Sequence, residues 1–404
     1  MNQGNKFGTF GGVFTPSILT ILGVIMYLRL PWIVGNAGLL MAIGIILVAH
    51  LISVTTGLSV ASIATDKRVR AGGPYYIVSR SLGLPIGGTL GIALFVGLSF
   101  SVSLYIIGFS ESFLSFFDME PSRENIRVCG SITLVLVTVV TLISTAFAIK
   151  IQYVIMVFIV LSLVSILGGD TSLVPSEPAM QPELESDVSV AVLFGIFFPA
   201  VTGFTAGVNM SGDLRDPKKA LPQGTILAIG VGLLIYLALA AFFAFRVDRN
   251  QLIGNPSILL DMSLYAPFVV AGIWGATLSS ALGSILGAPR ILQATSVDRI
   301  TPKVFAKGHG RSNEPRNPLI LTFGIAEIGI LIGELDAIAA IVSMFFITTY
   351  GFLNLSCAIE SWANPDFRPD FKIPTLVPVV GTITCLLIMV QLDFLAMIAA
   401  ISLL

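Results

Sequence analysis

Two stretches of this sequence place glycine and proline where an apolar helix would otherwise run unbroken: Thr20-Ile-Leu-Gly23-Val-Ile25, and Phe198-Pro199-Ala-Val-Thr-Gly203-Phe-Thr-Ala-Gly207. The chemistry they offer belongs to the main chain. Opening a helix frees carbonyls at the end of one half and N–H groups at the start of the next. In hydrocarbon each freed group is costly unless it finds a partner, so such openings persist where they are buried or line a polar cavity. Freed carbonyls can coordinate a dehydrated alkali cation, and freed amides present the positive end of a helix dipole to an anion. The stretches 15–28, 98–110, 198–209 and 274–287 hold no Asp, Glu, Lys or Arg. A cation there meets no counter-charge, so cation and anion would have to neutralise each other, which favours salt over a single ion. A proton-driven carrier is disfavoured, because it needs a titratable side chain in its path. The competing reading of the glycines is close packing of neighbouring helices. His50 and Glu327 read as paired structural residues, and Glu111 as a helix end that meets water.

The elements that must position these breaks are membrane helices. Of the 404 residues 55% are hydrophobic and 11% charged, with a mean hydropathy of +0.93, a composition outside the soluble range. Apolar runs of the roughly 20 residues that span a bilayer predict helices at 12–35, 38–65, 86–117, 127–146, 149–168, 189–212, 222–246, 264–289, 318–333, 335–359 and 374–391. A twelfth run begins near Leu392 and stops at Leu404, too short to cross. The interrupted helices are the first and the sixth, five apart, which points to two five-helix halves, about 12–168 and 189–359, related as inverted repeats with the binding site at the breaks. The expected fold is therefore all-α and polytopic: broken helices 1 and 6, helix 11, an incomplete helix 12, and a single transmembrane domain over 1–404. With the N-terminus inside, 17 of the 22 Lys and Arg fall on the inner side, as the positive-inside bias requires. The acidic stretch Asp170–Asp187 falls outside and reads as a solvated loop. A net charge of −1 leaves no basic patch for nucleic acid. Cys129, Cys357 and Cys385 suit neither a metal site nor a disulfide framework, and no removable signal peptide is read at the start.

The segments Gly8–Gly38, Ala71–Gly83, Phe197–Pro222, Ala276–Gln293 and Asn354–Glu360 carry motifs in order along nearly the whole chain. Together they resemble the cation-chloride cotransporters, a family of the amino acid-polyamine-organocation superfamily. The resemblance implies a potassium site made by the carbonyls of Thr20, Ile21 and Pro199 with Thr202 and the Tyr105 hydroxyl. Family members usually carry Asn where Thr20 stands, but the ligand there is a carbonyl. One chloride is implied on the amides of Gly23, Val24 and Ile25, and a second on those of Gly203, Phe204 and Thr205 with the Tyr350 hydroxyl. Sodium is implied at Ser279 and Ser280 beside the carbonyls of Ala276, Leu19 and Leu22. The Ser pair together with Tyr105 resembles the sodium-potassium-chloride branch. Without the resemblance, Ser-Ser reads as interhelical glue and Tyr105 as a packing residue.

The implied activity is electroneutral symport of sodium, potassium and chloride by alternating access in the plasma (cytoplasmic) membrane. Its partners are inorganic ions and the lipid bilayer, with a homodimer admitted, and no cofactor is needed besides the transported ions. Relatives in animals add a long N-terminus, a glycosylated loop between helices seven and eight and a large cytosolic C-terminal domain. Their absence here implies a microbial member or a trimmed chain. Potassium-chloride or sodium-chloride symport is the first alternative. An amino-acid permease of the same superfamily follows, although its substrate carboxylate needs small residues where Val24 and Ile25 stand. A non-transporting membrane receptor comes after it. An enzyme is disfavoured, since no intramembrane cluster has catalytic spacing.

Overall fold

A chain crossing hydrocarbon must satisfy its own peptide groups, so apolar runs of this length fold as helices. The computed structural model describes residues 7–66, 72–143, 145–169, 177–186, 188–209, 214–309 and 313–392. Among them are helices and no β-strand. A π-helical turn, Phe10–Phe14, leads into α1 (Thr15–Ile21) and α2 (Val24–Leu28). Then follow α3 (Leu30–Asp66), α4 (Pro74–Ser81), α5 (Leu84–Phe116), α6 (Arg123–Ile143) and α7 (Thr145–Leu167). The sixth segment is split into α8 (Val190–Phe197) and α9 (Thr205–Asn209). The chain continues through α10 (Pro217–Arg246), the short α11 (Arg249–Gly254) and α12 (Ile258–Asp261), α13 (Ala266–Val297), α14 (Arg316–Ile332), α15 (Leu335–Ala363) and α16 (Leu376–Leu392). Among the described residues seven helical spans, the broken first one (Phe10–Leu28) included, are long and apolar enough to cross a membrane, and three shorter ones are apolar over 10–17 residues.

Each of the eleven expected segments meets a helix or a broken helix. The first two are separated inside α3, where Gly38 (φ 63, ψ 169) kinks the chain. Arg29 donates its N–H to Ile25 and accepts from Ile33, so the start of α3 continues α2 up to that kink. Only glycine fits there, because an added Cβ would stand 2.3 Å from the Gln181 carbonyl oxygen and the φ is left-handed. The eighth segment runs past its expected end at 289: Pro289 lies within α13, which continues to Val297. The twelfth run, 393–404, lies outside the described residues.

The acidic stretch is solvated over most of its described part, with Ala179 alone buried, but it is also anchored. Its described part, 177–186, folds over the Gly38 kink. Leu39 N–H bonds to Ala179 O at 2.8 Å, Glu183 N–H to Asn36 O at 2.9 Å, and Arg249 pairs with Glu183. The second segment packs on the seventh (α3 on α10), and the third on the eighth (α5 on α13). These pairs frame the two breaks.

Candidate site at two broken helices

The last bond of α1 joins Leu22 N–H to Ile18 O at 2.8 Å. Leu22 then leaves the helix (φ −83, ψ 47), Gly23 is extended, and α2 begins at Val24 with no side-chain cap on its amides. In the sixth segment α8 tightens into a 3-10 turn, Phe198–Val201, and the helix resumes only at Thr205. Pro199, which has no N–H to give, sits at this turn. The two breaks touch. A Cβ on Gly203 would lie 2.7 Å from the Ile21 nitrogen and from Thr20 Cβ. On α5 Gly108 gives way to Val24, whose Cγ2 would be 2.1 Å from an added Cβ.

Hydroxyls from neighbouring helices satisfy much of the opened main chain, as burial demands. Ser53 donates to Val201 O at 2.8 Å, Ser17 to Phe204 O at 3.1 Å and Tyr236 to Ile21 O at 2.6 Å. Tyr350 donates to Thr202 O at 2.9 Å. Thr202 and Thr205 bond back within the break, to Pro199 O at 2.9 Å and Thr202 O at 3.1 Å.

Between the breaks, α5, α13 and α15 lies a cavity of about 20 Å³ lined by Thr20, Leu98, Ser101, Tyr105, Thr202, Gly203, Thr205, Ala206, Ser280, Gly283, Ser284 and Phe346. None of these residues is charged. Ser280 Oγ is buried there without a hydrogen-bond partner, 3.8 Å from where a Gly23 Cβ would be. Two larger hollows, about 690 and 820 Å³, lie away from the breaks. One is an apolar groove along α5, α6 and α13, and the other lies beside Lys218 and Asp370.

The cavity gathers residues from all three expected ion sets: Thr20, Tyr105 and Thr202 for potassium, Gly203 and Thr205 for chloride, Ser280 for sodium. Ile21, Pro199, Gly23, Val24, Ile25, Phe204, Leu19, Leu22, Ala276 and Ser279 are not in its lining, although those with side chains are buried around it. Three expected ligand groups are engaged within the protein. Ile21 O accepts from Tyr236, Pro199 O from Thr202, and the single Tyr350 proton goes to Thr202 O rather than standing free for an anion.

Sequence reasoning missed an ion cluster beyond the first break. Arg29 donates to Asp336 of α15 at 2.5 Å and, with both terminal nitrogens, to Glu111 of α5 at 3.2 Å. Glu111 therefore holds a guanidinium and does not simply meet water. A visible sign was Arg29 itself, since an arginine inside an apolar run requires a partner. His50 Nδ1 bonds Ile46 O at 2.9 Å. Glu327 is only half satisfied: Ser131 donates to one oxygen at 2.6 Å, and the other is buried without a partner. At the opposite end of the helices from Arg29, Tyr75 of α4 donates to Asp298 at 2.6 Å and Arg80 lies 3.1 Å from it. Burial, followed by the Asp298 hydrogen bond and charge, holds the Tyr75 phenol above its ordinary pKa.

The family model for amino acid permeases matches residues 12–404. The chain belongs to the amino acid permease family. Within that family its similarity to solute carrier 12 proteins is extensive. Solute carrier family 12 member 2 of Mus musculus is 34% identical over 449 residues, covering 96% of this chain and 37% of the relative. The Homo sapiens protein gives the same values. Solute carrier family 12 member 1 of Mus musculus is 33% identical over 452 residues, covering 96% of this chain and 41% of the relative. The chain thus spans about two fifths of the length of these relatives. The resemblance to cation-chloride cotransporters is borne out at the level of the family. Membership of this permease family speaks for an integral membrane transport protein rather than an enzyme.

Proposed function

We propose that this permease-family chain is an electroneutral symporter of sodium, potassium and chloride. The observation that carries this reading is the uncharged cavity at the two breaks, which Thr20, Tyr105, Thr202, Thr205 and Ser280 help to line. Hydroxyl and carbonyl oxygens without formal charge suit alkali cations, and the anion then supplies the balancing charge. The ligand sets are those the motifs imply. Thr20, Ile21, Pro199, Thr202 and Tyr105 take potassium. Gly23 to Ile25, and Gly203 to Thr205, take chloride, and Tyr350 joins the second set once its hydroxyl turns from Thr202 O to the anion. Ser279, Ser280, Ala276, Leu19 and Leu22 take sodium. Helices 1, 2, 6 and 7 rock as a bundle against the rest, with the N-terminus on the inner side of the cytoplasmic membrane. A homodimer is compatible with the proposal, and light scattering of the purified protein reads it directly.

The permease family name favours a second reading, an amino-acid carrier. The first break speaks against it: a substrate carboxylate there needs small residues, and Gly23 is followed by the bulky, buried Val24 and Ile25.

The test is chloride-dependent rubidium uptake into proteoliposomes, with and without sodium. Uptake needing both chloride and sodium supports the three-ion symporter. Uptake needing chloride alone assigns the potassium-chloride branch, and robust amino-acid uptake with no rubidium flux assigns the amino-acid carrier. Tyr105→Phe deletes one ligand oxygen at constant shape and is expected to raise the rubidium KM by roughly tenfold, the equivalent of one lost polar contact. An unchanged KM removes Tyr105 from the site. Replacing Ser279 and Ser280 together by Ala is expected to abolish sodium activation, and persistence of that activation in folded protein places sodium elsewhere.

A further inference from the structure

We propose that Tyr236 is a positioning residue of the cation site, whose hydroxyl fixes the Ile21 carbonyl and weakens its field, so favouring the larger alkali cations. The inference rests on the symporter reading, in which Ile21 O is a cation ligand. Tyr236 lies on α10, is fully buried, and spends its proton on Ile21 O at 2.6 Å. One turn earlier, Gly232 makes room for the Ile21 side chain, whose Cγ2 would lie 2.6 Å from an added Cβ. One residue face thus receives both the side chain and the carbonyl of Ile21. The Tyr236 ring is itself pinned, with the edge of Phe197 at 5.3 Å and His50 at 6.0 Å between ring centres. The hydroxyl has no freedom to leave the carbonyl without disturbing the second and sixth segments.

A carbonyl oxygen has two lone pairs, and a donor on one leaves the other for a cation. The donor's positive hydrogen lowers the negative potential that the cation meets. Carbonyl field strength is one determinant of alkali selectivity. A weaker field recovers less of a small ion's hydration energy, so preference moves towards potassium, rubidium and caesium. Because Tyr236, Ile21, Phe197 and His50 all belong to helices 1, 2, 6 and 7, the bond persists while that bundle moves.

The experiment measures inhibition of rubidium uptake by potassium and by caesium, with chloride KM recorded in parallel. Tyr236→Phe is expected to raise the potassium-over-caesium preference by about threefold or more with chloride KM unchanged, as for a stronger-field site. Incorporation of 3,5-difluorotyrosine at position 236 keeps the shape and strengthens the donor, and is expected to shift preference the opposite way. This second arm decides the matter if the phenylalanine variant does not fold. Retained uptake with an unmoved preference ratio in the folded variants overturns the proposal, as does a lowered maximal rate alone. A wild-type protein that moves no rubidium fails earlier, at the symporter reading on which the proposal rests.

Discussion

Alanine in place of Gly203 is expected to abolish rubidium uptake while leaving the helical content of the protein intact. The new Cβ would stand 2.7 Å from the Ile21 nitrogen and 2.8 Å from the Thr20 carbonyl carbon. These are main-chain atoms that cannot swing aside like the tip of a side chain. Relief requires the breaks to separate by several tenths of an ångström, and that separation opens the site between them. Misplacement of binding groups by about 1 Å costs on the order of 100-fold in rate. Gly230→Ala provides the control, because an added Cβ there meets nothing within 4 Å and alanine favours the helix by about 1 kcal/mol. Circular dichroism and uptake of both variants check the prediction, and wild-type uptake by the Gly203 variant would show that the breaks need not touch.

Arg29→Gln is expected to open the side of the protein towards which α2 points. Arg29 lies on helix 1, whereas Glu111 and Asp336 lie on α5 and α15, so the cluster ties the proposed bundle to the remaining helices. The guanidinium is 18% exposed and Glu111 20%, so the pair lies between the surface case of below about 1 kcal/mol and the buried case of about 3–5 kcal/mol. A loss of about 1.4 kcal/mol shifts the closed-to-open equilibrium tenfold. Labelling measures this directly. In a Cys129→Ala background carrying Ser101→Cys at the cavity, an impermeant thiol reagent is expected to react about tenfold faster when Arg29 is Gln. Equal rates would mean that the cluster holds no gate.

The sequence announced its helices because hydrocarbon leaves the backbone few choices, and it announced both breaks because Gly23, Pro199 and Gly203 interrupt otherwise uniform runs. Side-chain pairing across the fold was much less legible. Arg29 meets partners 82 and 307 positions away, and no local pattern links such residues. Tyr236, Ser53 and Ser17 looked like ordinary helix residues, since their role is set by carbonyls that become available only after the breaks have formed. The eighth apolar run was expected to end at 289, yet α13 carries Pro289 within it and continues to Val297. Neighbouring helices can satisfy the group that a proline frees, so proline need not end a membrane helix.

A cavity lined without an acid or a base adds no fixed charge of its own to the cargo. Moving one elementary charge across a membrane involves about 2.3 kcal/mol per 100 mV. A lone cation carried through this site would therefore be accumulated about fiftyfold at 100 mV by voltage alone. A cation that leaves with a matching anion does no electrical work. The resting potential then has no purchase on the loaded site, and the concentrations on the two sides set the direction of travel.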